Sequence, residues 1–302
     1  MSNHHPSPAE EELTFMALRA HPDDECFTVG GSIARYSQEG VRTVLVTCTG
    51  GENGEIVDEE LNTEENRARL AEIRKLELEE SCRILGVSDL EMLGYRDSGM
   101  AETLENEDPR SFNKADLGEA TARVVALIRK YRPQVLITDN EEGSYGHPDH
   151  IMCNRVGVAA YDVAGDPDYR PDLGPPHQIT KLYYTAFARF QIAGAWRKMR
   201  ELGLEMPWRR DDEDGDVEPT WGLPDDEIGA MIDIRAQLPQ KRASLLAHRT
   251  QIKPDMWMLS LPPDIFEDFL GYEVFQRIRS EVPIEGRETD LFQGLLAEER
   301  VA

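Results

Sequence analysis

The chain has 302 residues, with 58 Asp and Glu against 33 Lys and Arg and a formal net charge of −25. That length supports a large core, and that charge repels phosphates, so nucleic acid and anionic membranes are poor partners. No apolar run approaches the roughly 20 residues needed to cross a bilayer, and residues 1–12 are polar and acidic, so a cytoplasmic location is expected. Cys26, Cys48, Cys82 and Cys153 are scattered without a C-x-x-C pair, which argues against a zinc ribbon, a dithiol motif or a disulfide scaffold.

In chain order, residues 1–12 read as a disordered lead-in. Thr14 to Ala20 reads as a buried strand that ends where His21-Pro22-Asp23-Asp24-Glu25 begins. Gly30-Gly31 lead into a helix closed by Gly40, and Val41 to Cys48 forms a second strand rich in β-branched residues. Thr49 to Glu55 is a glycine-rich loop, but it lacks the Gly-Lys-Ser/Thr ending of a phosphate loop. A charged helix is expected over 63–85, with Leu70, Ile73, Leu76 and Ile84 facing inward and Gly86 closing it. Asp89 to Leu93 is a third strand, and Gly94 to Lys114 a loop longer than a mere connection. Ala115 to Arg132 is an amphipathic helix, and Gln134 to Thr138 a fourth strand. The loop after that strand carries His147-Pro148-Asp149-His150, and a helix runs on from His150 to Val163.

Lys181 to Ala186 is a further strand, Phe190 to Leu202 a helix, and Arg209 to Gly222 an acidic loop without the terminal glutamate of an EF-hand. Ile228 to Ile234 reads as a strand and Pro239 to Thr250 as a helix bearing His248. The last fifty residues alternate short helical pieces with prolines and read as a cap. Strand and helix alternate, so the expected fold is α/β: a Rossmann-like, mostly parallel sheet with helices on both faces and a smaller C-terminal α+β cap. Residues 13–180 would form the core, and 181–302 would complete and cap the site. In such sheets ligands gather beyond the carboxyl ends of the strands. Both histidine turns, the glycine-rich loop and the 94–114 loop follow strands, so they converge on one rim.

Three His or Asp ligands with one open position make a catalytic metal site. His21 and Asp24 lie three apart in one turn and His150 comes from the other, which nominates these three as ligands. Asp23 lies between the first two and points elsewhere, free to accept a proton from the attacking water, whose pKa a divalent metal lowers from about 16 towards 7. His147, held by Asp149 and so favoured as imidazolium, would stabilise the oxyanion of a tetrahedral intermediate, with Tyr145 adding a hydrogen bond. Together these parts describe a metal-assisted hydrolase of an amide or ester.

Ala20-His21-Pro22-Asp23-Asp24-Glu25, the Thr-Cys-Thr-Gly-Gly-Glu loop and Gly-His-Pro-Asp-His resemble the PIG-L (LmbE-like) zinc deacetylases, which remove acetyl groups from N-acetylglucosamine units of small conjugates. Arg96 to Met100 is similar to a loop of the family's mycothiol-pathway deacetylase. Lys181 to Tyr184 and Ala247 to Ile252 are more similar to its mycothiol S-conjugate amidase. The resemblance implies Zn2+ on His21, Asp24 and His150, with Fe2+ able to occupy such a site as well. It implies Asp23 as base, and His147, oriented by Asp149, as acid or oxyanion stabiliser. It further implies sugar contacts from Arg74, Asp97 and Glu55, and His248 either faces the pocket mouth or stands on a helix surface. Thr28 stands where the amidase is expected to carry lysine.

The expected activity is therefore de-N-acetylation of a small glycoconjugate, with amidase-like cleavage of thiol conjugates as the alternative; assembly as a homo-oligomer is compatible with either. A non-catalytic sugar- or nucleotide-binding module would call for a G-x-G-x-x-G fingerprint after the first strand, where the chain has His-Pro-Asp-Asp. A phosphoesterase fits the acidic loop and surface poorly.

Overall fold

All six residues of Thr14–Arg19 (β1) are buried, because this strand runs through the middle of a sheet covered on both faces. Phe15 and Ala17 enter one hydrophobic cluster and Met16 and Leu18 the other, the two-residue alternation of a strand between two cores. The computed structural model describes residues 12–204 and 218–295; the expected N-terminal lead-in, but for its last residue, and most of the acidic 209–222 loop lie outside them.

The helices Asp24–Thr28 (α1) and Gly30–Gln38 (α2) lead to Arg42–Thr49 (β2), which pairs parallel with β1. Glu64–Ala68 (α3), Leu70–Leu85 (α4) and Asp89–Tyr95 (β3) follow, with β3 parallel to β2. Leu117–Tyr131 (α5) then carries the chain back to Val135–Thr138 (β4), which pairs with the other side of β1, Phe15 against Val135 and Ala17 against Ile137. The chain thus turns outward from β1 in one direction and returns in the other. The crevice between the ends of β1 and β4 is the topological switch point where α/β sheets bind ligands.

Gly143–Gly146 (α6) and Pro148–Ala164 (α7) precede Lys181–Ala186 (β5), parallel to β4. Arg189–Glu201 (α8), Ala230–Asp233 (β6), Leu238–Ala247 (α9), Pro263–Leu270 (α10) and Tyr272–Ser280 (β7) complete the chain. The sheet order is β3-β2-β1-β4-β5-β7-β6, and β7 runs antiparallel to both of its neighbours.

Two expectations change. The last fifty residues hold a nine-residue strand, β7, inserted between β5 and β6, so the C-terminal portion extends the sheet as well as covering it. The division at 180 therefore falls within a continuous sheet. The expected 63–85 helix breaks at Arg69 (φ −124°, ψ 24°), and its inward face is only in part the predicted one, since Leu70 is buried and Ile73 and Ile84 are half-buried. Leu76 is 61% exposed, whereas Arg74, Glu77 and Ser81 are buried alongside Leu70, Leu78 and Leu85. Polar residues occupy the inner stripe because each has a buried partner near the site, so the apolar period misplaces part of the face.

A charged cluster anchors the segment after β7. Lys181 and Glu288 are fully buried and paired at 2.5 Å; Glu288 also accepts from Tyr183 and Arg277 at 2.8 Å, and Lys181 donates to the carbonyls of Leu291 and Gln293. Removing one partner strands a buried charge. Glu288→Ala is expected to cost about 3–5 kcal/mol in urea unfolding, and the paired Lys181→Met/Glu288→Leu exchange distinctly less.

Candidate metal and active site

The turn after β1 places His21 at the strand end, Asp23 in a left-handed conformation (φ 111°) and Asp24 at the start of α1. The turn after β4 makes His147 the N-cap of α7, with Pro148 at the first helical position, where its missing N–H costs nothing. Asp149 and His150 then project from the first turn of α7. Pairing of β1 with β4 brings the two turns together, and the His21 and His150 rings lie 5.1 Å apart.

The Asp24 carboxylate faces both imidazoles. Its Oδ2 lies 3.7 Å from His21 Nδ1 and its Oδ1 lies 3.5 Å from His150 Nε2. Two donors bound at about 2.0–2.2 Å to a common tetrahedral ion stand roughly 3.3–3.6 Å apart, close to these separations. His150 Nε2, the nitrogen that faces Asp24, is buried without a hydrogen-bond partner, an expensive state that a metal ion relieves. The far side of each ring is backed by a carboxylate, with His21 Nε2 3.2 Å from Asp149 and His150 Nδ1 3.2 Å from Asp139. Such carboxylate–histidine support is the usual surrounding of a metal ligand. Arg19 holds Asp139 at 3.0 Å, and Ser98 holds Asp149 through both its N–H (2.9 Å) and its hydroxyl. A rival grouping brings ring nitrogens of His21, His147 and His150 within 4.8 Å of one another. It is the weaker set, because His147 Nδ1 already accepts a hydrogen bond.

The electrostatics tell the same story. Burial works against charge on His21, yet Asp149, Asp24 and Asp97 outweigh it and push its pKa up to about 9. His150 is raised against the same burial by Asp24 and Asp139. The crowded carboxylates demand positive charge; protons answer that demand, and a divalent cation competes for the same place.

Asp149 departs from its expected role. Its carboxylate bonds His21, while its backbone N–H donates to His147 Nδ1 at 3.1 Å. His147 is not favoured as imidazolium either: burial, then the charge of His21, lowers its pKa to about 4. With Nδ1 accepting, the neutral ring carries its proton on Nε2.

His21, Asp23, Asp24 and His147 line a cavity of about 740 Å³. Tyr145 stands at its rim, 66% exposed, with its ring 5.9 Å from that of His147. Glu55, Arg74 and Asp97 line the same space, as does Gln251. Arg74 is largely engaged: it pairs with Asp23 at 3.1 Å and donates to the carbonyls of Gly51 (2.7 Å) and Pro22. Asp97 accepts from the backbone N–H groups of Asn53 and Gly99. Glu55 is exposed. His248 is corrected: it is fully buried behind the first turn, 2.7 Å from Glu25, and does not reach the pocket mouth. Burial lifts Asp23 to about 6, although Arg74 pulls it down.

A family model described as PIG-L: GlcNAc-PI de-N-acetylase matches residues 16–161. The 1D-myo-inositol 2-acetamido-2-deoxy-alpha-D-glucopyranoside deacetylase of Geodermatophilus obscurus is 40% identical over 287 residues, covering 93% of this chain and 97% of that protein. The enzyme of the same name from Thermomonospora curvata is 39% identical over 298 residues, covering 95% and 98%. The chain belongs to the PIG-L family. It is a deacetylase, a hydrolase of a non-peptide C–N bond, and its buried histidine–aspartate cluster fits the divalent metal that such hydrolysis uses. The solved N,N'-diacetylchitobiose deacetylase from Pyrococcus horikoshii shares the fold, with a TM-score of 0.61 at 20% identity over 89% of this chain and 85% of that one. So does the 4-carboxy-2-hydroxymuconate hydratase from Pseudomonas putida, at 0.56 and 17% over 91% and 99%. At those identities the likeness is one of fold alone.

The two turns and the glycine-rich loop of this PIG-L chain were visible as motifs; the supporting roles of Arg19, Glu25, Ser98 and Asp139 were not. Asp139 had one usable signal, a carboxylate at the end of the strand that feeds the second turn. Among the described residues no helix is long and apolar enough to cross a membrane.

Arg74 is the nearest cation to Asp23, so its removal raises the Asp23 pKa. Activity that needs the ionised carboxylate is then lost at a higher pH. In Arg74→Met the acid limb of the kcat/KM profile is expected to move upward, while Arg74→Lys, which keeps the charge, holds it nearer the native position.

Proposed function

We propose that this chain removes the N-acetyl group of 1D-myo-inositol 2-acetamido-2-deoxy-α-D-glucopyranoside, with zinc held by His21, Asp24 and His150. The observation that carries the reading is the Asp24 carboxylate set between two imidazoles at the foot of a cavity, with a second carboxylate, Asp23, beside it and turned away. The substrate follows the deacetylase name borne by relatives 37–40% identical over most of their length. Glu55, Asp97 and Glu105 line the cavity, which suits the hydroxyls of a neutral sugar conjugate better than a multiply anionic phosphoester.

When bound there, zinc supplies Lewis-acid polarisation of the amide carbonyl and brings the pKa of water towards 7. Asp23 accepts the proton of the attacking water; burial keeps it a stronger base than a free carboxylate, and Arg74 keeps it ionised. His147 donates through Nε2–H to the carbonyl oxygen as negative charge develops, and its bond from the Asp149 N–H holds the ring for that purpose. As a neutral donor it is better suited to stabilising the oxyanion than to acting as the acid. Asp23, now protonated, passes its proton to the leaving nitrogen as the C–N bond breaks, which releases acetate and the free amine. Tyr145 reaches the reacting carbonyl from the solvent side. Glu55 takes sugar hydroxyls at the outer wall, with Arg74 and Asp97 forming the inner one.

The test is free amine and acetate release from N-acetylglucosaminyl-inositol, N-acetylglucosamine and an S-conjugated cysteinyl amide of glucosaminyl-inositol, with the metal content of the purified protein measured in parallel. Fastest turnover is expected on the first substrate, with about one zinc per chain and loss of activity on chelation. Preference for the third substrate would make the chain an amidase, and iron in place of zinc would correct the metal. Asp23→Asn is expected to lower kcat by about 10²–10⁴ while metal content stays unchanged. His147→Ala is expected to lower kcat by about 10²–10³ with little change in KM, measured in steady-state assays at saturating zinc.

A further inference from the structure

Behind the cavity wall Glu25 is fully buried, and its two oxygens do separate work. Oε2 accepts the backbone N–H of Asp23 at 3.0 Å. Oε1 meets three side chains, Ser81 Oγ at 2.6 Å, His248 Nε2 at 2.7 Å and Cys26 Sγ at 3.0 Å. His248, also fully buried, arrives from the end of α9, 223 positions along the chain. The peptide bond between Pro22 and Asp23 is therefore gripped at both ends, since Arg74 takes the Pro22 carbonyl and Glu25 the Asp23 N–H. Asp23 sits at φ 111°, ψ −28°, a region that residues other than glycine occupy only when their surroundings hold them there.

We propose that Glu25 and His248 form a positioning pair that holds the Asp23 peptide in this left-handed conformation and so aims its carboxylate into the cavity. Asp24, next in the chain, faces the two imidazoles, while Asp23 faces Arg74 and the cavity from its left-handed backbone. The grip on the peptide separates them. Ligand atoms of Glu25, Cys26 and His248 lie within 4.8 Å of one another, but this is a hydrogen-bonded support and not a second ion site. Oε1 is already met by three donors, and burial beside Glu25 keeps the Cys26 thiol protonated. The His248 ring is linked to the Asp23 peptide through Glu25.

The inference rests on Asp23 being the base, and a double-mutant cycle on zinc-loaded full-length enzyme separates the two claims. His248→Phe is expected to lower kcat about 10- to 100-fold, the scale of a small misplacement of a reacting group, with KM and zinc content unchanged. His248→Gln, which restores a donor, is expected to recover part of the loss. If His248 works through Asp23, adding His248→Phe to Asp23→Asn costs little more than Asp23→Asn alone. Full activity in His248→Phe, or an undiminished loss in the Asp23→Asn background, would overturn the positioning role and leave the base assignment standing. Full activity in Asp23→Asn itself would overturn the base assignment and this inference with it. Should His248→Phe fail to fold, Ser81→Ala removes another donor to the same oxygen, and its kcat loss must likewise vanish in the Asp23→Asn background.

Discussion

Two strands that meet only in the folded sheet each deliver an imidazole to the carboxylate of Asp24, and the rest of the site follows from the electrostatics of that meeting. A largely buried carboxylate between two buried rings, with Asp149 and Asp139 behind them, concentrates negative charge where water screens it poorly. The arrangement is tolerable only with a cation in the middle or with protons on the rings. Each carboxylate then needs its own counterweight, which is why Arg19 stands against Asp139 and why two donors from Ser98 stand against Asp149.

This demand propagates outward into the helices. The inner stripe of α4 is ordinarily the place for apolar side chains, but here Arg74 reaches Asp23, Glu77 reaches Thr250 and Ser81 reaches Glu25. His248, which caps the C-terminal end of α9, joins the same support. Polar groups thus run through the packing under α4 and α9 towards the first turn.

How far the chain could be read from its residues depended on the range of the interactions involved. The β1 and β4 runs were legible because strands buried on both faces are unbroken apolar stretches, and the switch point between them follows from strand order. β7 was not, because its residues pair with β5 and β6 and carry buried Glu273 and exposed Arg279 among apolar neighbours, so it lacks the run of a buried strand. The helix at 63–85 was legible as a helix, but its inner face only in part, since the polar residues there are turned inward by partners far along the chain. His147 and Asp149 were recognised as a pair, yet the carboxylate was assigned to the wrong ring. The capping geometry of α7 gives His147 the backbone N–H of Asp149 and leaves its side chain for His21.

By itself the sequence determined the chemical inventory: two proline-stiffened turns bearing histidine and aspartate, each placed directly after a buried strand. That much is local, since residue type, spacing and strand order are properties of short segments. Only the tertiary structure decided which atoms face which. Glu25 is joined to His248 across 223 positions and His21 to Asp149 across 128, distances over which no periodicity carries information. A side chain's partner is chosen by packing of whole elements, and a rotation of one helix face or a change of one cap reassigns it without altering the motif.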